Sequence, residues 1–239
     1  MNVHKPYLRC PWTVVLLAIL SLCSSPQSSS GQLLPASREN LCVTEGALEE
    51  SPGDGLFVTV PKMRAYLNAP TPQLVEVRFT YFGATTNEAP LGSGEIRRQF
   101  GLKLRAQDPC NLVYAMWRIE PESKLVVSVK SNPGQHTSAE CGNRGYRNIK
   151  PLRSAPVPAL HSGDPHALRA EIHGAEMRVF ADSALVWQGS IGPEALAFDG
   201  PVGIRSDNAR LQLKLLTAQP LRIPPGKAPG CRLSLAESE

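Results

Sequence analysis

Hydrophobic and polar positions alternate with a period of two along much of this chain, most clearly at residues 168–216. There Leu168, Ala170 and Ile172 alternate with Arg169, Glu171 and His173, and Gly174 and Ala175 then turn the chain. Residues 176–181 return, Asp182 and Ser183 turn again, and residues 184–189 follow. After a looser segment, Gly200 and Pro201 lead into residues 202–205, and Leu211, Leu213 and Leu215 then alternate with Gln212 and Lys214. Alternation cut by short Gly and Asp turns predicts strands and hairpins, and strands with one apolar face need a second sheet to cover it.

The first half carries the same signal. Residues 56–60 alternate toward Pro61, as an edge strand would. In residues 73–82, Val75, Val77, Phe79 and Tyr81 fall on one face and Glu76, Arg78 and Thr80 on the other. In residues 99–105, Phe100, Leu102 and Leu104 point one way and Lys103 and Arg105 the other. Asp108 and Pro109 turn the chain into residues 112–119, where Val113, Ala115, Trp117 and Ile119 share a face. Pro121 stops that strand, and Leu125, Val127 and Val129 mark the next. Trp117 and Trp187 are assigned to the core. Residues 83–94 and 132–154 form loops, the second containing Cys141, and no helical periodicity competes. The prediction is all-β: a two-sheet antiparallel β-sandwich, with strand phase fixed because a one-residue slip would drive charges into the core.

A resemblance gives this fold a family expectation. The run LRAEIHGAEMRVFADSALVWQG at 168–189, followed by GPVGIRSDNARLQLKLL at 200–216, resembles the C-terminal half of concanavalin A-like lectin/glucanase jelly rolls. It is especially similar to the branch related to 3-keto-disaccharide hydrolase domains. Members of that branch carry a Gly after the Asp of the second turn, where this chain has Ser183. The resemblance implies a concanavalin A-like jelly roll, and with it a structural Ca²⁺ of the kind such domains often hold on scattered oxygens. Its motif is structural, so function transfers by analogy.

Residues 1–30 stand apart from the fold. His4, Lys5 and Arg9 precede an apolar run over residues 12–22, and a Ser-rich tether follows, which is the pattern of a secretory signal. The run is too short for a membrane span. Leu20, Ser21, Leu22 and Cys23 resemble a bacterial lipobox, with Leu22 in place of the small residue expected before the cysteine. Two addresses follow: an outer-membrane or cell-surface lipoprotein anchored through Cys23, or a freely secreted protein. The remaining organisation is an N-terminal arm at 31–55, the sandwich at 56–219, and a C-terminal extension at 220–239 tied down by Cys231.

The chain of 239 residues suits one sandwich, and its 22 prolines and 19 glycines suit many turns. The formal charge is +4; removing residues 1–22 takes away Lys5 and Arg9 and leaves +2, which gives no case for nucleic acid. Outside the signal region four cysteines remain, Cys42, Cys110, Cys141 and Cys231, and an even count in an exported chain points to disulfides with three pairings open. We favour Cys110 with Cys141 and Cys42 with Cys231, since the termini of a jelly roll often run side by side. Zinc is the alternative, and no Cys-x-x-Cys pair supports it.

Candidate chemistry is sparse. The Glu-x-Asp-x-x-Glu signature of the laminarinase-like branch is absent, and Glu120-Pro121-Glu122 is a strand-ending turn. There is no His-Glu-x-x-His, His161 and His166 read as loop residues, and there is no Gly-x-Ser-x-Gly elbow. The informative set is the one opposite the apolar face: Glu76, Arg78, Lys103, Arg105, Tyr114, Arg118, Ser128 and Lys130. If their strands are neighbours, they place five cations, a carboxylate and a phenol on one solvent face, where Arg suits carboxylate or sulfate bidentately. Against this stands an ordinary solvated sheet face. The reading is an exported, non-catalytic carbohydrate-binding module for a cell-wall or extracellular glycan, anionic by this face, without a resident cofactor. The alternatives are a glycoside hydrolase or lyase of the disaccharide-hydrolase type, and a surface protein-interaction domain.

Overall fold

The computed structural model describes residues 1, 33–53, 55–67 and 73–218. The chain divides into two units, residues 1–30 and 31–239, and the second carries the fold. Cys23, the expected signal and the 220–239 extension with Cys231 lie outside the described residues.

The strands in chain order are β1 (Leu34–Pro35), β2 (Leu41–Glu45), β3 (Glu49–Ser51), β4 (Gly55–Val58), β5 (Lys62–Leu67), β6 (Leu74–Ala84), β7 (Arg98–Asp108) and β8 (Asn111–Glu120). They continue with β9 (Lys124–Lys130), β10 (Tyr146–Asn148), β11 (Arg153–Ser154), β12 (Pro165–His173), β13 (Glu176–Ala181), β14 (Ala184–Ser190), β15 (Gly203–Asp207) and β16 (Ala209–Thr217). Two single-turn α-helices, α1 (Ser138–Cys141) and α2 (Pro193–Leu196), and a 3-10 turn at Arg38–Asn40 interrupt them. One sheet runs β11-β14-β13-β12-β6-β16-β4-β3, with β1 beside β16; the other runs β10-β9-β8-β7-β15-β5-β2. All pairings given are antiparallel. This is the two-sheet antiparallel β-sandwich that the alternation predicts.

The strand phase is as predicted. Val77 and Phe79 from the first sheet and Leu102, Leu104, Trp117 and Val129 from the second are buried in one core cluster. Phe79 reaches across to Phe100 and Trp117, with ring centroids 5.1 and 5.7 Å away. Burying each such side chain contributes about 1.5–3 kcal/mol. The two hairpins read at 168–189 are β12–β13 and β13–β14. Their second turn holds Asp182 and Ser183 at φ 49° and 70°, so Ser183 takes a left-handed conformation that favours glycine.

Several segments differ from expectation. β4, read as an edge strand, is paired on both sides, with β16 and with β3. Residues 34–51, read as an arm, supply β1 and β3 to one sheet and β2 to the other. The loop expected at 132–154 contains α1, β10 and β11. His166, read as a loop residue, lies on β12 with its ring 5.9 Å from Phe79 and 5.8 Å from Trp117, because it shares the inward phase of Leu168. Its Nδ1 lies 2.8 Å from Asp182 Oδ2.

Cys110 and Cys141 form the expected disulfide. Cys42 is also disulfide-bonded, and the expected partner Cys231 is outside the described residues.

Candidate functional site

The face of the second sheet that points away from the core carries the site. Its register builds rows across the strands. One row runs Tyr66, Gly203, Lys103, Tyr114, Ser128 and Asn148. The next runs Arg64, Arg205, Gly101, Met116 and Val126, and a third brings Asp207, Gln99 and Arg118 side by side. The two glycines belong to this layer for steric reasons. A Cβ on Gly101 would sit 2.2 Å from the Ala115 carbonyl oxygen, and one on Gly203 would sit 2.3 Å from that of Ala65.

Over β5, β15 and β7 this face is filled. Asp207 has no exposed surface, and its carboxylate accepts from Arg64 Nη2 at 2.6 Å, Gln99 Nε2 at 2.6 Å and Arg205 Nε at 2.9 Å. Burial pushes the Asp207 carboxyl pKa up, but Arg205 and Arg64 outweigh it and hold the group well below the usual carboxylate range. Lys103 places its ammonium 4.0 Å above the Tyr66 ring, and Arg205 lies 5.4 Å from the Tyr114 ring.

Over β8, β9 and β10 the face opens into a cavity of about 200 Å³. Met116, Val126, Ser128 and Tyr114 floor it; Gln99, Arg97, Arg118 and Arg205 bring polar groups; Leu91, Gly92, Ser93, Asn143, Tyr146 and Asn148 wall it. Tyr114 stacks on Tyr146 with centroids 5.8 Å apart at 27°. Arg118 is half-buried, and its Nε has no hydrogen-bond partner. Burial holds its guanidinium below the ordinary value and Arg97 adds to this, with Glu95 and Glu122 opposing. Arg97 is itself paired with Glu95. Among the described residues, no carboxylate, histidine or cysteine lines the cavity.

Of the residues predicted from sequence, the structure brings only Tyr114, Arg118 and Ser128 into this cavity. Glu76 and Arg78 lie on β6 in the other sheet and pair with each other at 2.7 Å, because β6 and β7 belong to different layers. Arg105 sits at φ 48° in an irregular stretch of β7 and donates to the Ala195 and Leu196 carbonyls, 3.0 and 2.9 Å away. Lys103 and Lys130 are in the right phase yet buried, and Lys130 donates to the Gly142 carbonyl at 2.7 Å beneath the loop at 131–145. The expected solvent face of five cations is therefore not formed. Tyr114 is 4% exposed between its neighbours, and the ring at the cavity mouth is Tyr146, 37% exposed. Sequence reasoning missed Tyr146, Arg205 and Asn148; Tyr146 and Asn148 lie on a strand of only three residues, too short to show alternation.

The oxygens of the two buried aspartates are already engaged by protein donors. Asp108 accepts from Cys110 N, Asn111 Nδ2 and, across 2.9 Å, the His136 ring, and both oxygens of Asp207 are likewise taken by donors. Among the described residues no group of three or more His, Cys, Asp or Glu is arranged to hold a metal ion.

No family model matches the chain, and no curated protein matches it. Solved structures do. The carbohydrate binding module CBM66 from Bacillus subtilis superposes with a TM-score of 0.49 at 13% identity, over 73% of this chain and 91% of its own. The metal-free Emp46p carbohydrate recognition domain gives 0.49 at 10% identity, over 76% and 89%. A putative glycosyl hydrolase from Parabacteroides distasonis gives 0.46 at 12% identity, over 77% and 98%. At these identities and scores the likenesses leave ligand and activity unassigned.

Proposed function

We propose that the protein is an exported, non-catalytic carbohydrate-binding module that holds an acidic sugar in the cavity over β8 and β9. The observation that supports this most directly is Arg118: a half-buried guanidinium on the wall of a cavity that no described carboxylate lines. A carboxylate that pairs with a partly desolvated guanidinium makes a charge-assisted hydrogen bond, roughly twice as strong as a neutral one, so an anionic group suits this wall. Tyr146 at the mouth supplies a part-exposed ring, held by Tyr114 stacked on it and by Lys130 Nζ 5.0 Å from its centroid, and Gln99, Ser128, Asn143 and Asn148 supply amides and a hydroxyl for the hydroxyl groups of a sugar. Glycoside hydrolysis by a retaining or inverting carboxyl pair would need two positioned carboxyl groups, and none among the described residues lines the cavity.

The test is a glycan array probed with the full-length protein and with Arg118→Ala. Acidic glycans should bind, the substitution should weaken them at least about tenfold, and added salt should weaken them partially, since a half-buried charge is screened less than an exposed one. Preference for neutral glucans, or indifference to Arg118→Ala, would remove the acidic-sugar site. Export through a lipid anchor on Cys23 is the companion proposal: Cys23→Ser should move the protein from the membrane to the soluble fraction, and an unchanged distribution would leave secretion without an anchor.

A further inference from the structure

Two loops meet above this cavity. Residues 85–97 reach it from the end of the sheet marked by Gln99 and Arg118, and residues 131–145 from the opposite end, marked by Leu112 and Lys130. A methyl group placed on Gly92 would lie 3.6 Å from Asn143 Cβ, so the loops close almost to van der Waals contact over the sheet.

Neither loop is free to swing away. Asn208 accepts from Ala89 N at 2.8 Å and donates to the Ala89 and Arg97 carbonyls at 2.9 and 3.1 Å, which clamps the first loop. The disulfide between Cys110 and Cys141 anchors the second, and Asn132 ties its two ends together by donating to the Cys110 and Arg144 carbonyls.

The sides are unequal. Toward β5 the face is filled: Arg64, Tyr66 and Lys103 are at most 1% exposed. Toward β10, Tyr146 and Asn148 stand exposed at the rim. An open groove across a sheet lets a polymer lie through it and leave at both sides. A roofed cavity blocked on one side admits a chain only by its end. Its volume of about 200 Å³ also falls below the roughly 300–1,000 Å³ of pockets that take drug-sized ligands, which suits one sugar ring rather than several.

We propose that the cavity takes the terminal unit of an acidic glycan and excludes the same unit inside a chain. The anionic group of the end unit reaches Arg118, and the rest of the chain leaves past Tyr146 and Asn148. This rests on the acidic-sugar reading above, and the test separates the two. Full-length protein and its Arg118→Ala variant are probed on an array that displays glucuronic acid, galacturonic acid and sialic acid at the chain end, and again capped by one neutral hexose. Capping should lower binding at least about tenfold. Equal binding to capped and uncapped chains would overturn the terminal-unit inference and leave the acidic site standing. Binding to neither, or binding insensitive to Arg118→Ala, would overturn both. A thermal scan confirms that the variant is folded, and competition on the unsubstituted protein gives a second readout. The free monosaccharide acid should displace the uncapped chain, and failure to do so would count against end recognition.

Discussion

Asp207→Asn tests the polar layer on which the cavity rests. The native carboxylate is fully buried and accepts from Arg64, Arg205 and Gln99 at 2.6 to 2.9 Å. The substitution removes its charge from beside two guanidiniums and turns one acceptor into a donor facing donors. Breaking a buried ion pair from one side costs about 3–5 kcal/mol. In a sandwich of this size that should lower Tm by roughly 6–20 °C. The exposed Glu49→Gln change should stay within about 0.5 kcal/mol in the same urea and thermal scans. Acid adds a second readout. Because the folded carboxyl pKa is depressed, its stabilisation is complete above the unfolded value of about 3.9 and is lost as pH falls from there toward the folded value. The Asn variant has no such carboxylate, so between about pH 4 and pH 2 it should lose less stability than the native protein. An unchanged Tm at neutral pH, or parallel acid limbs, would refute the network as a source of stability.

Gly101→Ala should destabilise the protein by about 1–3 kcal/mol or more, measured by urea unfolding, because its methyl would meet the Ala115 carbonyl oxygen at 2.2 Å; near-native stability would show that the strands can part there without cost. Replacing Cys110 and Cys141 together by Ala should cost up to about 4 kcal/mol by the chain-entropy estimate for a 31-residue separation, and no change in urea midpoint would mean the loop is held without it. Non-reducing peptide mapping should recover Cys42 joined to Cys231, and finding it joined to any other cysteine would break the expected tie between the ends of the chain.

Alternation made the core legible because burial penalises a slipped strand so heavily. Val77, Phe79, Leu102, Leu104, Trp117 and Val129 all lie where the period of two puts them. The same period says only that Lys103 and Lys130 face away from the core, not whether loops cover that face, and both are buried. It is also blind to sheet membership. Glu76 and Arg78 share a phase with Lys103, yet β6 and β7 lie in different layers. Arg105 escaped because a left-handed residue inside a strand breaks the alternation that would place it. Arg205 ended a run already read as a strand and Asp207 fell just beyond it, but their partner Arg64 lies about 140 residues away in the chain, on β5, which the apolar pattern did not mark.

Asn208 is the only residue between β15 in one sheet and β16 in the other, and its side chain is the clamp on the loop that roofs the cavity. That clamp takes its position once β15 has paired with β5 and β7, and β16 with β6. In a chain emerging from the ribosome, everything that lines the cavity except Arg205 is synthesised before residue 149, yet the roof waits for residues 203–217. Completion of the cavity therefore comes at the close of folding, and nascent chains stopped short of β16 should be unable to hold the ligand proposed above.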